Sequence, residues 1–338
     1  MMLLFLQNVA AATTAGPGFT DNKVLDQWTI PFGEWVEQIV GWIDQNLQTP
    51  LEIIEWPFSL LFLTFVRDDA IHQPWWQITD MSWVVVCLAF FVIGSLVRNV
   101  KVGGFTALAL VVCGLLGVEY WEETALTLGM IIVAVLLCAI IGIPLGILCG
   151  RVDGVWSAIR PVLDAMQVVH PFVYMLPIIS FFGIGPEPAT MVTMVFALPP
   201  LVRLTNLGIR QVPEDVVEAC RAYGAPEWRV LFDVQLPLAS RSIMAGLNQT
   251  LLLSISMLGI AAIMGAGGLG LLVFRAVQNL DIGLAASAGL ALFIVAVVLD
   301  RISQTETSLD KSLLKRIRFA WQHLRTPEVL VASDVGDD

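Results

Sequence analysis

Charge is what this chain has least of. Only 14% of its 338 residues are Asp, Glu, Lys or Arg, against about 25% in an ordinary soluble domain. The stretches Ser242 to Phe274 and Thr124 to Gly150 contain no such residue at all. A helix needs roughly 20 mainly apolar residues to cross about 30 Å of hydrocarbon, and both stretches are long enough. A soluble core could hide one such helix, but not several in succession. With 57% hydrophobic residues, the composition is that of a membrane protein.

Further absences narrow the chemistry. The five cysteines, Cys87, Cys113, Cys138, Cys149 and Cys220, form no CxxC pair and read as small apolar side chains. The three histidines, His72, His170 and His323, are too scattered for a metal centre. No HExxH or GxSxG constellation appears, so no catalytic residue is assigned. No GxxxxGK[ST] phosphate loop appears either. GAGGLG (265–270) has no lysine and no strand before it, and reads as glycine packing between membrane helices. The opening MMLLFLQNVAAATTA has no Lys or Arg before its apolar run, which makes it a poor signal peptide and an expected weakly ordered tail.

Basic residues are scarce at the start. Residues 1–80 hold Lys23 and Arg67 against ten acidic side chains. This asymmetry and the net charge of −11 argue against nucleic acid as a partner. The same region holds six of the eleven tryptophans, a residue that favours the membrane interface. Phe32, Trp35, Val36, Ile39, Val40, Ile43 and Leu47 recur at helical spacing beside Glu34, Glu37 and Asp44, the pattern of an amphipathic helix. Residues 1–80 are therefore expected to be an extracytoplasmic tail with interfacial helices. Trp56 to Val66 is short for a span, and both an interfacial and a spanning placement stay open.

The expected fold is all-α and polytopic, with seven spans near 82–98, 104–120, 124–149, 163–184, 188–210, 243–265 and 283–300. Arginine and lysine concentrate in alternate loops. They stand at Arg98 and Lys101, at Arg151 and Arg160, from Arg203 to Arg241, and from Arg301 onward. The positive-inside rule then places the N-terminus outside and residues 306–338, a basic then acidic tail, in the cytoplasm. Lys311, Lys315, Arg316 and Arg318 of that tail can serve as an orientation signal or hold anionic lipid, with a response to ionic strength as a further hypothesis.

The longest loop between spans, near 211–241, carries "EACRAYGAPEWRVLFDVQLP" (218–237). Pro213 suits the first position of a helix, and Glu214, Asp215 and Glu218 complement its positive end. Val216, Val217, Ala219, Cys220 and Tyr223 give it an apolar surface, and Gly224 is placed to end it. Pro226 and Glu227 open a second helix. Trp228, Leu231 and Phe232 are expected to be its buried face, and Pro237 to stop it. Such a stiff pair either packs back on its own helices or docks a soluble partner.

The spacing is specific. Glu218-Ala219-Cys220, three residues, Gly224, nine residues, then Val234-Gln235-Leu236-Pro237 resembles the EAA loop of ABC importer permeases, with Cys220 for alanine and Val234 for isoleucine. "RPVLDAMQVVHPFVYMLPIISFFGIG" (160–185), "FALPPLVRLTNLGIRQVPEDVVEACRAYGA" (196–225) and "IMAGLNQTLLLSISMLGIAAIMGAGGLG" (243–270) look like the permeases of proline/glycine betaine importers. The resemblance covers roughly residues 80–305, and His170 departs from it.

The resemblance implies a type I ABC importer permease fold over 81–305, in the bacterial inner membrane. It implies a second permease copy, a cytoplasmic ABC ATPase that holds the ATP and Mg, and an extracytoplasmic solute-binding protein. The chain itself would need no cofactor and hold no metal. Glu218, Ala219, Cys220, Tyr223, Gly224, Ala225 and Pro226 would meet the ATPase. The cargo would be a compatible solute such as glycine betaine, proline betaine or choline, with a sulfonate, an amino acid or an ion-coupled carrier as alternatives. Polar or polarisable residues inside spans can line the route or bond neighbouring helices. The candidates are Met166, Gln167, Tyr174, Asn248, Gln249, Thr250, Ser254, Ser256 and Met257.

Overall fold

A computed structural model describes residues 32–65, 83–97 and 99–303. The tail positions Lys311, Lys315, Arg316 and Arg318 lie outside them. All regular structure among the described residues is helical, as the fold class requires. In chain order the helices are α1 (Phe32–Asn46), α2 (Gln48–Phe65), α3 (Trp83–Val97), α4 (Val100–Leu115) and α5 (Val118–Arg151). There follow α6 (Asp153–Val168), α7 (Pro171–Phe182), α8 (Pro186–Arg210), α9 (Glu214–Ala222) and α10 (Glu227–Arg229). A π-helical turn (Val230–Gln235) then leads into α11 (Leu236–Ser256), α12 (Leu258–Ile263), α13 (Gly268–Asn279) and α14 (Ile282–Ser303).

The chain divides into two units, Met1–Thr49 and Pro50–Asp338. In the first, α1 is the amphipathic helix expected from its spacing, and Trp35, Ile39 and Trp42 are all exposed. The second unit holds the bundle. Tyr120–Arg151, Pro186–Arg210, Glu227–Ile263 and Ile282–Ser303 are long and apolar enough to cross a membrane. The helices α3 and α4 are apolar but only 15 and 16 residues long. The four long helices match four of the seven expected spans, and α3 and α4 overlap two more without reaching that length.

The expected span 163–184 is corrected. It is broken between α6 and α7, whose axes meet at 97°. Pro171 lacks an N–H and disfavours helical geometry in the residue before it. His170 is accordingly extended at ψ 137°, and its Nδ1 accepts the Phe172 N–H at 3.4 Å to cap α7. The apolar residues of 163–184 therefore belong to two helices of different direction.

The expected stop at Pro237 is also corrected. The helix runs on from Glu227 to Ile263. The π turn absorbs the missing donor: the Leu236 N–H reaches back five residues to the Leu231 carbonyl. Pro213 likewise stands one place before α9, as its N-cap.

Helix α8 is the centre of the bundle, with α5 on one side and α11 on the other. Gly142, Gly146 and Gly150 of α5 recur every four residues, so they share a face. A methyl group at Gly146 would lie 2.5 Å from Thr205 Cβ and 2.9 Å from the Val202 carbonyl, and one at Gly150 would lie 2.9 Å from Ile209. On the other side, Gly208 faces Ser242 and Gly246 faces Leu201. Leu201, Val202 and Thr205 are completely buried at this double seam.

The GAGGLG stretch is a packing element, as expected. Gly265, Gly267 and Gly268 have φ between 73° and 76°, where a side chain would be strained. Gly270 lies against the Leu258 carbonyl, and Gly268 against Thr127 and Met130 of α5. The Leu269 N–H donates to Thr127 Oγ1 at 2.8 Å, and that hydroxyl donates to the Glu123 carbonyl at 2.7 Å.

Replacing Gly146 by valine should force α5 and α8 apart and cost about 1–3 kcal/mol, read as a lower melting temperature in detergent. Gly154→Ala, where the added methyl meets nothing within 4 Å, should leave the melting temperature unchanged.

Candidate functional site

Helix α9 projects from the loop between α8 and α11. Glu214 and Asp215 occupy its first turn and Arg221 its last, the arrangement that complements the helix dipole. Its end is a complete Schellman motif. The Ala225 N–H bonds the Cys220 carbonyl at 3.1 Å, and the Gly224 N–H bonds that of Arg221 at 2.8 Å. Gly224 takes φ 77° with open space where a Cβ would be. The backbone requires glycine there for its conformation, and a side chain at that position would project outward.

Val217 is the one buried residue of α9. Glu218, Ala219, Tyr223, Gly224 and Pro226 are exposed, while Cys220 and Ala225 are half-buried. Tyr223 is 94% exposed. The structure thus brings the seven expected docking residues into one outward-facing turn and its flanks.

The next turn corrects an expectation. Trp228 and Phe232 are 58% and 60% exposed rather than buried, and Val230 is the residue that packs inward. Phe232 lies inside the π turn, which rotates the helix face relative to a regular 3.6-residue count. Arg229 lies over the Trp228 ring, 5.2 Å from its centre. These two aromatics extend the exposed surface next to Tyr223 in sequence.

Glu227 ties this loop to the bundle. Its carboxylate accepts Arg221 Nε at 2.8 Å and Arg151 Nη2 at 2.5 Å. The Arg221 guanidinium is raised above its ordinary pKa, first by the hydrogen bond to Glu227 and then by its charge. It stays a cation at any working pH. Sequence reasoning assigned Glu227 only to starting a helix, because its partner Arg151 is 76 residues away.

The nine residues expected along a solute route do not converge. Thr250 donates to the Ala197 carbonyl across the α8–α11 seam at 3.0 Å. Asn248 accepts from Ser303 of α14 at 2.5 Å. Ser256 donates to Leu253 within its own helix. Gln249 is exposed, Met257 is buried where α11 meets α12, and Met166 packs with the core around Leu163 while its neighbour Gln167 is half-buried. Tyr174 is half-buried on α7. Thr250 and Asn248 are the two of the nine that hydrogen-bond a neighbouring helix.

A small crevice does exist between the helices. Met130, Ile131, Ala189, Thr190, Thr193, Ser254, Leu258 and Ala261 line it, so Ser254 is the one expected residue found there. Three hydroxyls face apolar walls with no ionised group among them. Each hydroxyl donates to a carbonyl four residues back in its helix, which leaves oxygen lone pairs as acceptors. Thr190 and Thr193 were missed because their one signal is their shared helical face, three residues apart.

This architecture defines a class: a polytopic helical membrane protein that carries a capped, exposed helix on one loop. A family model described as "Binding-protein-dependent transport system inner membrane component" matches residues 142–304. The glycine betaine/proline betaine transport system permease protein ProW of Escherichia coli is 38% identical over 86% of this chain and 80% of its own length. The glycine betaine/carnitine transport permease protein GbuB of Listeria monocytogenes is 36% identical over 84% of this chain and 98% of its own. The glycine betaine transport system permease protein OpuAB of Bacillus subtilis is 40% identical over 70% and 84%. The chain belongs to this family of multi-pass inner-membrane permeases of ABC importers.

Thr250→Val removes the donor that joins α11 to α8 and should cost about 1 kcal/mol. A melting curve in detergent reads it, and solute affinity should not change with it.

Proposed function

We propose that this chain is the membrane subunit through which a compatible solute enters the cytoplasm, with glycine betaine, proline betaine or a choline-like quaternary amine as cargo. The observation that carries the reading is the Schellman-capped helix α9. It offers Glu218, Ala219, Tyr223 and Gly224 to a partner while Val217 anchors it. A motor that moves as a rigid body needs a rigid element to push on. Cys220, Ala225 and Pro226 complete the proposed contact.

In this reading ATP and Mg belong to a cytoplasmic ATPase partner, and the permease performs no catalysis and needs no cofactor. An extracytoplasmic binding protein delivers the solute to a pair of permease copies. The N-terminus lies outside and the basic tail inside, where it meets lipid headgroups. The names of the relatives support a betaine cargo.

Reconstitution with the ATPase and binding protein encoded beside it should give ATP-driven uptake of labelled trimethylammonium zwitterions in preference to sulfonates or amino acids. Preference for either of those classes would overturn the cargo. Gly224→Asp puts a charged side chain into the docking surface at a strained φ. That variant should stay in the membrane and lose most ATP-driven uptake; normal uptake would overturn the assignment of α9.

A further inference from the structure

We infer that Glu227 is a positioning residue for coupling, because it joins the docking helix α9 to the end of α5 so that the two move together. The inference rests on the importer reading of α9. Of the nine residues of α9, Val217 alone is buried, so apolar packing gives this helix a narrow hold on the bundle. The polar hold is better directed. Arg221, in the last turn of α9, sends Nε to Glu227 Oε1 at 2.8 Å and Nη2 to Oε2 at 3.3 Å. This two-pronged fork fixes orientation as well as distance. The same Oε2 accepts Arg151 Nη2 at 2.5 Å, and Arg151 is the last residue of α5. One carboxylate thus bridges two cations that would otherwise repel each other.

The far end of this link explains its use. Helix α5 is a single helix of 34 residues, about 50 Å long at 1.5 Å per residue. Along it stand Thr127, which holds the GAGGLG turn, and Met130 and Ile131, which line the crevice. At the near end Arg210 of α8 bonds the Cys149 carbonyl at 3.0 Å and pairs with Asp153 at 2.6 Å. The ends of α5 and α8 and the docking helix are therefore clamped into one body. A displacement of α9 reaches the crevice along α5 directly, without passing through the bend between α6 and α7. Glu227 is 58% exposed, and exposed ion pairs stabilise folds little, so its effect belongs to coupling more than to stability.

The test is the ratio of solute transported to ATP hydrolysed, in proteoliposomes containing permease, ATPase and binding protein. Glu227→Gln should keep the ATPase bound on purification and lower that ratio about two- to fivefold, the change expected for one charged pair. Arg151→Gln should lower it similarly, and the double variant should be no worse than either, as for residues acting through one contact. Arg151→Lys, which keeps the charge and a donor, should recover most of the ratio. An unchanged ratio in Glu227→Gln overturns the inference, as do additive losses in the double variant. Loss of the bound ATPase in step with the loss of uptake overturns it too, by making Glu227 a docking residue. Absence of ATP-driven uptake in the unsubstituted assembly sinks the importer reading together with this inference, whereas normal uptake with an unaltered Glu227→Gln ratio sinks the inference alone.

Discussion

The close approach of α5 to α8 is the constraint on which the rest depends. Lipid tails are as apolar as leucine, so membrane helices associate through shape and local hydrogen bonds. Glycines at 142, 146 and 150 remove the side chains that would hold the backbones apart, and Leu201, Val202, Thr205 and Ile209 fill the space. Helix α8 can then be covered on its opposite side by α11, where Gly246 and the Thr250 hydroxyl complete the contact. Without the first seam the second would have no fixed surface to form against.

Two surfaces hang from that double seam. The loop between α8 and α11 is held at both ends by these helices, and its capped helix presents Tyr223 and Gly224 outward. Toward the other end of α5, α8, α11 and α12 leave a crevice walled by hydroxyls and apolar groups. Three arginines, Arg151, Arg203 and Arg210, pair with Glu227, Asp164 and Asp153 and tie loop and helix ends together. The packed helices are stiff and the ion pairs at their ends are exposed.

Much of the docking loop was legible in the chain. Gly224 announces a left-handed residue after an acidic-to-basic helix, and the hydrogen bonds of its cap follow from that geometry. The glycines at 265–270 were legible as packing residues because no strand precedes them. The Val169–Pro171 break was not read, although Pro171 alone disfavours a helical His170; the apolar run across it looked continuous. Phe232 was misplaced for a related reason. A π turn adds a residue to the helical count, and the apolar pattern gives no sign of it. The polar residues inside the spans left two roles open in the sequence, and Thr250 and Asn248 hydrogen-bond neighbouring helices.

The sequence by itself determined that this chain is helical, that it is built for a membrane, and that one loop carries a capped helix. Those properties follow from apolar run length, charge scarcity and local backbone preference, all of which act over a few tens of residues or fewer. Only the tertiary structure decided which hydroxyls share a crevice, which glycines touch, and that Glu227 meets Arg151. Those outcomes join residues far apart in the chain, and a contact of that kind exists only once two helices have packed at a particular angle and depth.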